Sequence, residues 1–400
     1  MSNNNTIVYI GDFDFRNENV QSHLVKNNAK LLNKIGYDVC FIGIDRTNSD
    51  CKSLQTAESI DGYLELPNTL NVVGWFKRKS VCKKIIDQLE TFAQEKKVSH
   101  VITYQSPTYA VALKKIARWC KKNGVAYIVN CADLPIFSSQ PFVRRMVMKW
   151  NWSRIHYYNK KYADGIISVS RFIDGFYKKR GCPSVIIPPL FDETALLGRS
   201  SEVNDIPVFL YAGTPFPLSG CKVCVKGMKD RLDLIIDLML KLEEERVPFR
   251  FDIIGISLHD YCVSVPRHCK KVEQSNGIHF YGPLSHEGVV ERLASADYTI
   301  NYRDKNRMTC AGMSTKVVES VSVGIPVVMN DVGDTFLYLE EGLSGIKLTG
   351  TFSKDVETLV SLTHRSKEER EENKNRIRSD RVFSVDRFVP VMQEFLERIH

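Results

Sequence analysis

No apolar run in this 400-residue chain reaches the roughly 18 residues that a membrane-spanning helix needs. The opening MSNNNTIVYI has no basic segment followed by a long apolar one, so nothing there reads as a secretion signal. No G-x-G-x-x-G follows a strand-like run, which argues against a dinucleotide-dependent oxidoreductase. Internal repeats and low-complexity segments are missing too. The eleven cysteines are an odd number scattered through hydrophobic segments, the pattern of reduced thiols rather than of a disulfide framework. Cys221-x-x-Cys224 is half of a zinc pattern, but His259, Cys262, His268 and Cys269 lack the spacing of a second half, so no metal is expected. With 55 Lys and Arg against 47 Asp and Glu, the net charge of +8 is mild for this length. That balance does not call for nucleic acid, though it suits an anionic ligand or a bilayer surface.

What is present is ordinary globular material, 43% hydrophobic and 26% charged, in a chain too long for one core. Short β-branched runs alternate with helical patterns. In the first half, strand-like TIVYIG (6–11), DVCFIGI (38–44), SHVITY (99–104), VAYIVN (125–130) and DGIISVS (164–170) are separated or followed by helical patterns near 18–35, 108–122, 142–163 and 171–180; SVIIPP closes the series. Runs that are apolar throughout suit strands covered on both faces, hence a parallel sheet and βαβ units. RSSEVNDIP (199–207) is polar and without period, a linker. The alternation restarts with IPVFLYAG (206–213), a helix near 230–246, FRFDIIG (249–255), GIHFYG (277–282), a helix at 286–295, DYTINY (297–302) and IPVVMN (325–330). An isolated amphipathic helix near 383–398 ends the chain. Two doubly wound α/β domains result, expected at 1–200 and 207–380, with a last helical segment at 381–400.

In such sheets, ligands collect at the carboxyl ends of the strands. Those positions in the second domain hold Gly213-Thr214-Pro215, Gly255, Gly282, and Arg303 with Arg307. Lys226, Lys229 and Arg231 fall near the next helix start, and free amides with cations there make an anion site. NRMTCAGMSTKVVES (306–320) repeats the design: Gly312 permits close approach, Ser314 or Thr315 can cap, and the amides of 313–316 point outward. Two such sites suggest a diphosphate. Glu319 is not a capping-box residue, because Lys316 holds that position. An i,i+3 surface pair with Lys316 is one reading. The other has the carboxylate hold a vicinal diol one turn below the anion site.

RDKNRMTCAGMSTKVVESVSVGIPVVMND resembles the donor-binding segment of the retaining GT-B glycosyltransferases of family 4. VFLYAG, KDRLDLIIDLMLKL, IHFYGPLSHEGVVERLASADYTI and ADGIISVSRFIDGFYKKRGCPSVIIPP extend the resemblance over nearly the whole chain. It implies two Rossmann-like domains facing a central cleft, an acceptor-binding first domain, a nucleotide-sugar-binding second domain, and a carboxyl-terminal helix that crosses back toward the first. The implied reaction is transfer of a sugar from a nucleotide-diphosphate donor, with retention and without metal or other cofactor. A glycan or lipid-linked acceptor in bacterial surface polysaccharide synthesis, at a cytoplasmic location, goes with it. By resemblance, Lys229 and an arginine, Arg303 or Arg307, hold the leaving phosphate, and Glu319 binds ribose. Gly213, Thr214, Gly312, Met313, Ser314, Thr315 and Lys316 line the donor site, and Gly11 and Asp12 the acceptor side. Asp12-Phe13-Asp14 also matches a metal-binding triplet, or is a plain turn. Three departures stand out: Ala311 replaces the family's first glutamate, Thr214 replaces its strand-end arginine, and the acceptor-side histidine is absent after the fourth strand, with His100 at that strand's start.

Segment 141–162 interleaves Lys, Arg and His with Trp150, Trp152, Tyr157 and Tyr158. It is an ordinary domain helix, a contact with a membrane surface at the inner face, or, as the weakest alternative, a nucleic-acid face.

Overall fold

β-Branched runs flanked by helical patterns form the strands of two all-parallel sheets. The computed structural model describes residues 5–11, 13, 15, 20–45, 63–67, 72–104, 110–134, 142–178, 183–192, 204–216 and 229–399. The chain divides into one unit of Met1–Leu190 with Val385–His400 and a second of Phe191–Ser384.

The first unit runs β1 (Thr6–Ile10), α1 (Val20–Ile35), β2 (Asp38–Asp45), β3 (Tyr63–Pro67), α2 (Val72–Glu95), β4 (Val98–Tyr104), α3 (Ala110–Asn123), β5 (Ala126–Cys131), α4 (Phe142–Tyr162), β6 (Gly165–Ser168), α5 (Arg171–Lys178) and β7 (Ser184–Ile186). Its sheet order is β3-β2-β1-β4-β5-β6-β7, all parallel, with Val8 opposite Cys40 and Val101. Every residue of β1 is buried, as a strand covered on both faces must be.

The second unit runs β8 (Val208–Ala212), α6 (Leu232–Glu244), β9 (Arg250–Ile254), α7 (Leu258–Ser264), α8 (Cys269–Gln274), β10 (Ile278–Gly282), α9 (His286–Ser295), β11 (Tyr298–Asn301), α10 (Arg307–Ala311), α11 (Thr315–Ser322), β12 (Val327–Asn330), β13 (Gly345–Leu348), α12 (Phe352–Thr363) and α13 (Lys367–Asp380). Its order, β10-β9-β8-β11-β12-β13, reverses direction between β8 and β11 as the first sheet does between β1 and β4. Both are therefore doubly wound. The main core of this unit packs α6 and α12 on the sheet through Leu232, Ile235, Met239, Leu359 and Leu362.

The last helix, α14 (Val385–Glu397), belongs to the first unit and packs along α1. Gly165 in β6 makes room for it: a Cβ there would lie 2.4 Å from Ile399 Cδ1 and 2.6 Å from Phe395 Cζ.

Several elements exceed the sequence reading. β3 and α2 fall in a stretch for which no elements were expected, and α7, α8, β13, α12 and α13 were not foreseen. α13 explains itself: in KEEREENKNRIRSD only Ile377 is apolar, so there is no hydrophobic stripe to read. It is started by a Ser366/Glu369 capping box and held by Arg370 and Lys374, which are buried against Asp297 at 2.8 Å and 2.9 Å.

Candidate functional site

In a doubly wound sheet the reversal of strand order opens a crevice at the carboxyl ends of the two central strands. In the second unit these are β8, ending at Gly213, and β11, leading to Arg303. Gly213 has φ +141° and Gly255 φ +100°, conformations that L side chains rarely adopt. A Cβ on Gly255 would meet the Gly213 carbonyl at 2.6 Å, so the turns after β8 and β9 lie back to back. A Cβ on Gly213 would lie 2.4 Å from Lys316 Nζ, which places that ammonium directly against the turn.

Lys316 reaches across from the first turn of α11. It donates to Asp230 Oδ2 at 2.6 Å and to the Tyr211 hydroxyl at 3.2 Å, and it lies 4.3 Å from the centre of the Tyr211 ring. The other oxygen of Asp230 accepts from Arg303 Nε at 2.9 Å. Arg303 is itself pinned through its backbone, donating to Asn330 Oδ1 and accepting from Asn330 Nδ2. Burial pushes the Asp230 pKa up, but Lys316 and Arg303 outweigh it and leave the carboxyl at about 2. Burial also lowers the pKa of Lys316; Asp230 opposes that shift, while Arg303 and Lys229 add to it. Lys229 is exposed and has no carboxylate partner among the described residues. Two cations thus share a single buried anion, and with Lys229 close enough to act on Lys316 the cluster keeps an excess of positive charge.

The start of α11 is open. Ser314 occupies the N-cap position without a side-chain cap bond, and its buried hydroxyl has no partner among the described residues. Val317 and Val318 turn their amides back to the Ser314 carbonyl. The amides of Ser314, Thr315 and Lys316 find no acceptor among the described residues, as the first turn of a helix leaves them. One turn further, α11 buries Val317, Val318 and Val321, while Glu319 is half-buried and its carboxylate makes no hydrogen bond or ion pair among the described residues. Burial raises its pKa to about 7 against the pull of Lys316. The i,i+3 surface pair is therefore not what forms, because Lys316 turns to Asp230.

Of the residues named from sequence, Gly213, Arg303, Ser314, Thr315, Lys316 and Glu319 belong to the β8–β11 end of this sheet and the start of α11. Thr214 is exposed, and its hydroxyl donates to the Gly255 carbonyl at 3.4 Å. Met313 points its side chain into the apolar cluster of Val317, Val321 and Phe383. Gly312 has φ −85°, which any residue adopts. Arg307 is not in a loop: with Asn306 as cap it begins α10 and is exposed. Ala311, at the family's glutamate position, is fully buried. Arg231 is no anion ligand, since Asp233 and Asp304 hold its guanidinium at 2.9 Å each. Asp12, Asp14, Cys221, Cys224 and Lys226 lie outside the described residues. Gly11 follows β1, where a Cβ would sit 2.3 Å from Tyr104 Cβ, and His100 is buried at the opposite end of β4.

Asp230 is the residue that sequence reasoning missed. Its one signal was a lone acid inside the basic KGMKDR stretch, where charge counting looked only for cations. For a metal, the structure brings Cys262 and Cys269 together with Glu273, ligand atoms within 4.8 Å of one another, a set a thiophilic divalent ion could occupy. His268 is not part of it, being held by Tyr261 and Asp237, and His259 is exposed.

No protein-family profile and no curated sequence matches the chain. Among solved structures it is similar to a sucrose-phosphate synthase from Thermosynechococcus elongatus, with 12% identity, a TM-score of 0.64 and 98% of each chain covered. Anabaena HepE in complex with UDP and glucose matches at 12% identity and a TM-score of 0.63, over 98% of this chain and 99% of that one. The lipopolysaccharide outer core galactosyltransferase WaaB matches at 13% and 0.60, over 97% and 99%. At this level of identity the likeness is one of architecture, and the chain has the GT-B fold.

Proposed function

We propose that the second unit binds a nucleoside-diphosphate sugar and that the protein transfers the sugar, with retention, to a glycan or lipid-linked acceptor. The observation that carries this reading is the half-buried Glu319, whose carboxylate has no partner among the described residues, one turn below three open amides on the helix whose Lys316 meets the Arg303 and Lys229 charges. A diphosphate fits the amides and cations, and a ribose diol fits the carboxylate. HepE structures with UDP, with UDP and glucose and with UDP-glucose share this fold, which supports a donor of that class.

In this reading the bond from the anomeric carbon to the β-phosphate oxygen breaks, and the leaving nucleoside diphosphate keeps the electron pair. Lys229, Arg307, Arg303 and the amides of 313–316 stabilise the charge that develops there, a role that preorganised cations and dipoles perform without a metal. The acceptor hydroxyl forms the new bond on the same face and passes its proton to the leaving phosphate. Gly213, Thr214, Gly312, Met313, Ser314, Thr315 and Lys316 line the donor, while Gly11 and Asp12 serve the acceptor. We assign the reaction to bacterial surface polysaccharide synthesis on the cytoplasmic side.

A second reading has one observation in its favour. With Ala311 fully buried, no side chain at that position reaches a ligand, and a nucleotide-binding protein without turnover would look the same. Thermal-shift screening of UDP, GDP, ADP and their sugars, followed by donor-hydrolysis and transfer assays, separates the two. Glu319→Ala and Lys229→Ala should lose both stabilisation by ligand and turnover. Binding without turnover on any acceptor pool selects the second reading, and no binding by any nucleotide removes both.

A further inference from the structure

Helix α4 carries two apolar faces. The inward face buries Trp152, Ile155 and Asn159 to 7%, 0% and 0% exposure, and Asn159 donates to the Tyr177 hydroxyl at 3.2 Å. The outward face shows Phe142 at 68%, Val143 at 73%, Met146 at 52%, Val147 at 56%, Trp150 at 59% and Tyr157 at 57% exposure. At about 100° per residue these six fall in an arc of about 140° on the side opposite Trp152 and Ile155. Because apolar residues lie on both sides, their directions cancel, and the segment alone gives no amphipathic signal. In the amino-terminal half, 142–151, no described side chain is buried. Single exposed apolar residues are ordinary on a surface; a continuous stripe of this size marks an interaction site.

The charges around it are of one sign. Residues 142–162 contain six Lys or Arg and no Asp or Glu. The Arg154 guanidinium lies 4.6 Å from the centre of the Trp150 ring, and that of Arg145 5.6 Å from the Phe142 ring. We propose that α4 rests on an anionic bilayer: its outward apolar stripe enters the headgroup–acyl boundary, and Arg145, Lys149, Arg154, Lys160 and Lys161 meet lipid phosphate. Two other occupants fit worse. Val143, Met146 and Val147 offer no ring for a base to stack on, as a single-stranded nucleic acid needs. A second copy across a two-fold axis sets basic helix against basic helix. The inference stands apart from the proposed sugar chemistry, since it concerns attachment and is tested by binding alone.

The test is co-sedimentation of the full chain with extruded vesicles of phosphatidylglycerol and phosphatidylcholine, against phosphatidylcholine alone. The wild-type chain should bind the anionic vesicles at least about tenfold more tightly, an advantage that fades with salt. Met146→Ser/Val147→Ser/Trp150→Ser should weaken binding about tenfold or more, and Lys149→Glu/Arg154→Glu by a similar factor. Trp150 emission should shift blue and be quenched by brominated lipid, a readout on the unmutated protein that Trp150→Phe removes. No binding at millimolar anionic lipid, equal binding by the serine variant, competition by single-stranded oligonucleotide that tracks the stripe, or a dimer that the serine variant dissociates would each overturn the proposal.

Discussion

Replacing Glu319 by glutamine pulls stability and ligand affinity in opposite directions. Burial raises this carboxyl from the ordinary 4.5 to about 7, with Lys316 pulling the other way. A carboxyl whose folded pKa exceeds its unfolded one contributes most below the unfolded value, and that contribution fades as pH rises from 4.5 through 7. At pH 8 the half-buried charge costs the fold up to about 3 kcal/mol, at about 1.4 kcal/mol per pKa unit. Glu319→Gln should therefore stabilise the second unit by roughly 1–3 kcal/mol at pH 8 and leave it unchanged at pH 4. Donor binding runs the other way. To accept from both hydroxyls of a diol the carboxylate must be ionised, and with a free pKa of about 7 it is about one-tenth ionised at pH 6 and nine-tenths at pH 8. Affinity of the wild-type chain should thus rise about tenfold from pH 6 to pH 8. The glutamine variant should be flat and about ten- to a hundredfold weaker at pH 8, the loss of charge-assisted bonds. Titration calorimetry with a nucleotide sugar, whose phosphates stay ionised over this range, measures the slope and, in two buffers, the proton released on binding. A wild-type affinity that does not change from pH 6 to pH 8, or a glutamine variant with wild-type affinity and slope, refutes the reasoning.

Asp230→Asn leaves Arg303 and Lys316 without their shared carboxylate and should cost about 3–5 kcal/mol in urea unfolding. In the wild type the low pKa of Asp230, about 2 against an ordinary 3.8, gives a contribution complete above pH 4 and lost as pH falls through 2, so the variant should lose that part of the acid transition. Gly213→Ala adds a Cβ at φ +141° and 2.4 Å from Lys316 Nζ; melting should show about 1–3 kcal/mol of destabilisation, and donor affinity should fall as the amine is displaced. At the amino-terminal end of β11, away from the strand ends that carry the site, Asp297→Asn breaks the buried pairs with Arg370 and Lys374 and should cost about 3–5 kcal/mol, yet leave the donor Kd within about twofold.

Much of this was legible in the chain because strand runs buried on both faces announce themselves by composition. TIVYI and VFLYA are apolar throughout, and glycines close the second sheet's strands at Gly213, Gly255 and Gly282. Parallel sheets, two α/β units and the importance of the 306–320 stretch follow from such local patterns. Two features that only the structure reveals share a cause: long-range electrostatics leaves no period. α13 is almost entirely polar and is held by two buried cations on Asp297. Asp230 is one acid among lysines until folding brings Arg303, 73 residues away, and Lys316, 86 away, onto its two oxygens.

The α4 stripe shows the same division. Sequence determined that 142–162 is a basic, aromatic helix, since residue type and local spacing suffice for that. Which of its two apolar faces meets the domain was decided only when Trp152 and Ile155 were buried, leaving Phe142, Met146 and Trp150 outside. Likewise the sequence alone put Lys316 and Glu319 one turn apart on a helix, but only the tertiary structure, by bringing Asp230 to Lys316, drew the lysine away from the glutamate. Local periodicity reports what a segment can bury; which charges meet is fixed by distances between segments, and those exist only in the folded chain.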